Sequence, residues 1–428
     1  MTGPRRQPRG CPGPEPPPMS SASSVHPPAG LVVVTIDRLP AWMLSAWGAT
    51  WVSTPVFDGL AARGITFDRL IATDADPLAT LAALAGDADT RGAGELLNVA
   101  AAAGWPAVLL TDDARLPERT PGVELVEVLA TPAVQPAADE AATNLGRLFA
   151  RAGAVVTAGR HRLVWCHAGS LGVAWDAPPA YREAYVDPED PPPPSGAGVP
   201  HFPVTAETDP DLVMGCRQAF AGQLSLLDRC LGGLVDAVRG LGPAWGLAVI
   251  GLRGMPLGLH GAVGCSLPDD ATARPYGEWV HLPAVIVAAH GGHERMERMA
   301  GQRYGGLVTP ADIGATLIDL TFGRRPPGRD GGDARSLAGL FTDWSHEPRD
   351  RVLVRAGAGR AVVTRGWHLV AEPATDTTAP PPRLYVKPDD FFELSDVADR
   401  CPDVAEELAG LLAPGAAERP LSAHAIGS

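Results

Sequence analysis

The feature that most constrains this chain is a series of continuous apolar runs, several of them ending in an acid or a histidine. They read LVVVTID (31–37), AVLLTDD (107–113), RLVWCHAG (162–169), LAVIGL (247–252) and LPAVIVAAH (282–290). A run that is apolar at successive positions has no polar face to offer water, so it predicts a strand covered on both sides in a parallel sheet. Between the runs lie stretches with helical periodicity. In TPVFDGLAARG, Thr54 is placed as N-cap, Pro55 at the first helical position and Gly64 as the stop. The long stretch CRQAFAGQLSLLDRCLGGLVDAVRGLG has the same period. Strands alternating with helices predict an α/β fold, a doubly wound and mostly parallel sheet with helices on both faces. Ligands of such sheets gather beyond the carboxyl ends of the strands.

Residues 1–30, with nine prolines and three arginines, predict a disordered Pro-rich leader, and Met19 is an alternative start. The α/β domain is expected over 31–330. Within it Pro178–Pro203, which includes four consecutive prolines, predicts an extended surface excursion. RRPPGRDGGDARS (324–336) reads as a boundary. Beyond it RVLVRAG, RAVVTRGWHLVAE and RLYVKPDDFFELSD, then a helix from about Pro402 to Leu412, predict a small C-terminal antiparallel α+β subdomain over 331–428 with a flexible tail.

The formal charge of -14 argues against nucleic acid or an anionic membrane as partner, because both demand basic patches. With 49 Gly and 44 Pro among 428 residues, a long helical array is excluded. Six scattered cysteines form no CxxC pair and no zinc-like spacing. No run of 18 apolar residues and no secretory leader is recognisable, so a cytoplasmic protein is expected.

From residue 31 to about 412 these pieces, in this order, resemble the sulfatase branch of the alkaline phosphatase superfamily. VVVTIDRLPAWMLSAWGATWVSTPVFDGLAARGITFDRLIAT resembles the family's first strand, acidic tip and following helix. HAGSLGVAWDAPPAYREAY, LSLLDRCLGGLVDAV, LGLHG, TPADIGATLIDL and FFELSDVADRCPDVAEEL resemble later family segments. The resemblance implies an alkaline phosphatase-like fold and a divalent cation, usually calcium, in a cage of carboxylate and amide or imidazole ligands.

Position by position, that chemistry is altered. Asp37 matches the first metal ligand, but Arg38 follows it. Leu252, Arg253, Gly254 and Met255 stand where the family has Asp, His or Asn, Gly and Glu. Asp76 falls where the family's Cys or Ser becomes formylglycine, and Thr80 where an Arg supports it. No Cys or Ser occurs from Ile65 to Gly86, so formylglycine cannot form. Cys265 replaces a sulfate-steadying Lys, Gly172 a His, and Ala114 another position often held by His. Asp112, His167, Asp176 and His260 are retained. A threonine nucleophile at Thr73 or Thr80 would need two metals held by five or six acid and His ligands, which the chain does not supply.

Two readings result. The first is a sulfatase-family protein with sulfate-ester hydrolysis lost or severely impaired, a pseudo-sulfatase without cofactor. Its Arg38 and Arg253 either cradle a small anionic or sulfated ligand, with Asp112 and His260 nearby, or form salt bridges with Asp37, Asp76 or Asp112. The second is a working sulfuric or phosphoric ester hydrolase around Asp37, Asp76, Asp112 and His167, with Asp37 on calcium and Asp76 and His167 as catalytic groups. Locally, Asp37 also reads as a turn cap and Asp76 as a helix-terminus partner. Trp42, Trp47 and Trp51 read as packing rather than a sugar platform.

Overall fold

A computed structural model describes residues 28–85, 94–116, 123–265, 273–291, 294–324, 334–373 and 380–427. The expected leader with Met19 and most of the expected boundary at 324–336 lie outside these. The first half of the described chain supplies β1 (Gly30–Ile36), β2 (Ile65–Ile71), β3 (Ala107–Thr111), β4 (Val123–Glu127), β5 (Leu163–Ala168) and β6 (Phe202–Pro203). Next come β7 (Trp245–Gly251), β8 (Ala262–Val263), β9 (His281–Val287) and β10 (Arg303–Val308). Eight of them form one sheet in the order β10-β2-β9-β7-β1-β5-β3-β4, while β6 and β8 make a separate antiparallel pair. Neighbours run parallel except around β9, which is antiparallel to both β2 and β7. The sheet is therefore the expected mostly parallel one. The five apolar runs are β1, β3, β5, β7 and β9. Strands β2, β4 and β10 carry charges or glycines and lack a continuous apolar signature.

The helices show what several of the motif residues hold in place. Helix Pro55–Ala61 begins after Thr54, but Thr54 does not cap it; its hydroxyl accepts from the Ser45 amide instead. Its first amides, those of Val56 and Phe57, donate to the Asp228 carboxylate at 3.0–3.1 Å. Asp228 is the acid of the LLDRCLGGL stretch and lies in the 31-residue helix Pro210–Gly240. One carboxylate thus fixes the first helix against the longest one. At Gly64 a Cβ would sit 2.5 Å from the Ile286 carbonyl, so the turn into β2 needs glycine for close approach. Helix Pro310–Phe322 starts with a capping box of Thr309 and Asp312, and Asp312 also accepts from Arg349 at 2.7 Å.

The Pro178–Pro203 excursion is not wholly extended. It opens with a short helix, Pro179–Glu183, whose buried Arg182 donates back to the carbonyls of Gly196, at 2.9 Å, and Pro194. Strands β11 (Arg351–Ala356), β12 (Gly359–Thr364), β13 (Trp367–Ala371) and β14 (Arg383–Val386) form an antiparallel sheet in sequence order. Val352, Val354 and Val363 join the main core. Trp367, Leu369 and Leu384 pack with Val404 and Leu408 of helix Pro402–Gly410 in a second one. Backbone bonds from Ala75 to the Arg355 carbonyl and from Arg355 to the Thr73 carbonyl, both 2.9 Å, stitch this sheet to the loop after β2.

Candidate functional site

The parallel register pairs Ile36 of β1 with Gly251 of β7 and Ala168 of β5, so three strand tips end side by side. The residues just past each tip are thereby brought together. Asp37 is fully buried, and Arg38 and Arg253 are each 1% exposed. Arg253 grips Asp37 bidentately, Nε to Oδ1 at 3.1 Å and Nη2 to Oδ2 at 2.9 Å. Arg38 Nη1 donates to the same Oδ2 at 2.6 Å. The Arg115 guanidinium, partly exposed, comes within 3.7 Å of it. Burial raises the Asp37 carboxyl, but Arg253 and then Arg38 outweigh it and bring it down to about 2. Burial works against the Arg253 charge in turn, and Asp37 overcomes that and raises it.

Arg38 reaches this position through an unusual backbone, with φ 62°. A non-glycine residue in the left-handed region is strained and persists only where its surroundings hold it. Here the side chain is clasped: Nε donates to Cys265 Sγ at 3.1 Å and Nη2 to the Cys265 carbonyl at 3.4 Å. Gly172 supplies the room, since a Cβ there would lie 1.9 Å from Nη1 and 2.2 Å from Cζ of Arg38. Arg38, Gly172, Arg253 and Cys265, each at a position where the resemblance implies a different residue, thus meet in one interlocked cluster.

Asp113 and Arg115, which the sequence reading did not single out, extend the cluster. Arg115 donates to both Asp113 oxygens, from Nε at 2.9 and 3.0 Å and from Nη2 at 2.5 Å. Burial opposes ionisation of Asp113, but His167 and Arg115 hold it well below the ordinary carboxylate range. The available signal was the charge pattern of TDDAR, two acids followed two positions later by a guanidinium.

His167 lies at the end of β5, buried, with Nδ1 3.1 Å from the Thr35 hydroxyl; Trp165 Nε1 donates to that hydroxyl at 3.0 Å. Its Nε2 stands 3.7 Å from Asp113 and has no hydrogen-bond partner. Asp112 turns to the backbone, accepting from the amides of Gly169 at 2.5 Å and Ser170 at 3.3 Å, and burial raises its carboxyl. Asp176 likewise accepts from the Asn144 amide at 2.8 Å. Asp76 is exposed and accepts from the Leu78 amide at 2.9 Å at the start of helix Pro77–Ala85, as the local reading expected. Thr80 is buried and donates to the Asp74 carbonyl. His260 belongs to a different neighbourhood. It stacks on Tyr276 at 3.8 Å, pairs with Glu278 at 3.0 Å and lies 3.2 Å from the Glu393 carbonyl. Burial works against its charge, but Glu278 raises its pKa overall.

Of the seven candidates, Asp37, Arg38 and Arg253 come into direct contact, and His167 reaches them only by way of Asp113 and Arg115. Asp112 and His260 serve other partners; Asp76 makes no contact with the cluster, though its charge acts on Arg253. The three tryptophans also diverge: Trp47 is buried and donates to the Phe67 carbonyl, Trp42 packs edge-on against Phe392, and Trp51 against Tyr185.

Calcium takes six to eight oxygens, mostly anionic or carbonyl. Around Asp37 stand three guanidiniums, which repel a cation and use the lone pairs a cation would need. Among the described residues no group of three or more His, Cys, Asp or Glu is arranged to hold a metal ion. The residues present do not fit calcium.

No family model and no curated protein matches the chain. Solved structures do. The phosphonate monoester hydrolase of Agrobacterium radiobacter superposes with a TM-score of 0.67 at 18% identity, covering 90% of this chain and 95% of its own. A 2-O GAG sulfatase gives 0.65 at 14%, covering 90% and 91%. The putative sulfatase yidJ from Bacteroides fragilis gives 0.63 at 13%, covering 91% and 95%. Over nine-tenths of its length, then, this chain has the alkaline phosphatase-like fold of sulfatases and phosphonate monoester hydrolases.

Proposed function

We propose that this protein is a sulfatase-family pseudoenzyme: the scaffold is kept, ester hydrolysis is lost, and the former cation position is an internal ion-pair plug. The observation that carries the reading is the double grip on Asp37, with both oxygens held by buried guanidiniums and Gly172 leaving room for one of them. The oxyanion-cradle reading of Arg38 and Arg253 is less well supported, because both are 1% exposed and spend donors on Asp37 and Cys265.

Magnitude favours loss of activity. Removing one preorganised electrostatic contact from an active site costs roughly 10² to 10³ in rate. Here the nucleophile position, at least two ligand positions and the sulfate-steadying position are altered, while Asp37 is kept. Such losses are not additive, yet each acts on the same step.

The test is metal content by elemental analysis, together with turnover of aryl sulfate, aryl phosphate and aryl phosphonate monoesters with and without added calcium. The expected result is substoichiometric metal and no turnover above a denatured control. Stoichiometric calcium with turnover abolished by Asp37→Asn would overturn the proposal.

A further inference from the structure

A second charged cluster lies where β2 and β9 face the C-terminal sheet. A cavity of about 410 Å³ there has Trp47, Ile71, Val280, Val363 and Phe391 among its apolar lining. Four cations and two carboxylates line it: Arg69 from β2, Arg303 from β10, Arg365 from the turn between β12 and β13, and Lys387, with Asp68 and Glu393. Two are neutralised locally, Arg303 by Asp68 and Lys387 by Glu393 at 2.8 Å. Arg69 and Arg365 have no carboxylate in salt-bridge range among the described residues. Arg69 is instead oriented by carbonyls, Nη1 to Arg365 O and Nη2 to Thr364 O, both 2.7 Å.

The charge of Arg365 acts on Arg69, and since the cavity's two carboxylates pair with Arg303 and Lys387, this repulsion is left uncompensated. Burial first, and the charge of Arg365 second, together depress Arg69 to about 10. An anion placed between them would relieve both effects. His281, which also lines the cavity, carries no positive charge at neutral pH, because burial lowers it to about 4. His368, 2% exposed, also lines the cavity; its Nδ1 is 2.6 Å from Glu393 and its Nε2 has no partner. The volume lies in the range of small-molecule sites, and the mixture of apolar walls with a few convergent polar groups is how such sites are built.

We propose that this cavity is a ligand site for a small molecule carrying an oxyanion on an apolar, aryl-sized body, with Arg69 and Arg365 taking the oxyanion and the Trp47–Phe391 wall the body. It shares no residue with the Asp37 cluster and does not depend on whether that cluster hydrolyses esters. Arg69 is held in place by the C-terminal hairpin, so the site exists only when the two sheets are docked.

Phenylphosphonate, which has no ester bond to cleave, is the probe, titrated calorimetrically into the full chain beside inorganic phosphate. The expected result is one saturable site for phenylphosphonate at least tenfold tighter than for inorganic phosphate. Arg365→Ala, at an exposed turn position, weakens it at least tenfold without lowering the melting temperature of the free protein. The exposed Arg239→Ala, a control for general charge, leaves it unchanged. No saturable binding up to millimolar probe, equal affinity for inorganic phosphate, an Arg365→Ala change under twofold, or a loss caused by Arg115→Ala instead would each overturn the proposal.

Discussion

Replacing Asp37 by Asn separates a plug from a metal site, because the two assign opposite roles to the same carboxylate. In the plug, Asp37 neutralises two guanidiniums that are each 1% exposed. Removing the acid from a buried ion pair costs about 3–5 kcal/mol, since charge is left buried and unpaired. A second route uses the carboxyl's own titration: it is held at about 2 against 3.8 for the free group. That difference, at about 1.4 kcal/mol per pH unit, corresponds to about 2.5 kcal/mol. The two figures place the loss at about 2–5 kcal/mol at pH 7. Because the folded pKa is depressed, the contribution is present in full above pH 3.8 and is lost as pH falls towards 2. The assay is urea denaturation at pH 7, read as a shift in midpoint at unchanged slope, with and without calcium. Arg253→Met in the Asp37→Asn background should then cost much less than Arg253→Met alone. A loss below about 1 kcal/mol, or a wild type stabilised by calcium and an Asn variant that is not, would refute the reasoning. A ligand of a missing cation sits among like charges, so its removal relieves strain instead of creating it.

Gly172→Ala should cost about 1–3 kcal/mol through collision with Arg38, and Arg38→Ala should recover most of it in a double-mutant cycle followed by thermal melting. Asp228→Ala removes the acceptor from the Val56 and Phe57 amides, so helix Pro55–Ala61 should lose about 1 kcal/mol of capping, seen as faster amide exchange at those two residues. Burial lowers His281 to about 4. The unfolded chain therefore takes up its proton first, and the stability tied to this group is complete above pH 6.5 and declines towards pH 4; an imidazole NMR titration midpoint near 6.5 would contradict this.

The Asp37 plug was half legible in the sequence. LVVVTID fixed Asp37 at a strand tip, and LAVIGLRG placed Arg253 just past another. The charge change at these positions was visible because a guanidinium cannot replace a cation ligand. Gly172 and Cys265 read only as losses. That Gly172 is the space occupied by Arg38, and Cys265 its clasp, depends on side chains 134 and 227 positions from Arg38. Asp112 and Asp113 illustrate the same limit. Adjacent residues at a strand end point in different directions, and nothing local says which one faces the tip cluster.

By itself, the sequence determined the elements whose physics is local: buried strands from apolar runs, helix starts from Thr, Pro and Asp, and the antiparallel C-terminal sheet. It also showed no Cys or Ser anywhere from Ile65 to Gly86. Only the tertiary structure decided strand direction at β9, the Asp228 cap, the clasp on Arg38 and the unneutralised pair Arg69 and Arg365. The physical reason is range. Propensity and periodicity act over a few residues, whereas neutralisation of a buried charge depends on which distant side chains the sheet register brings within about 4 Å.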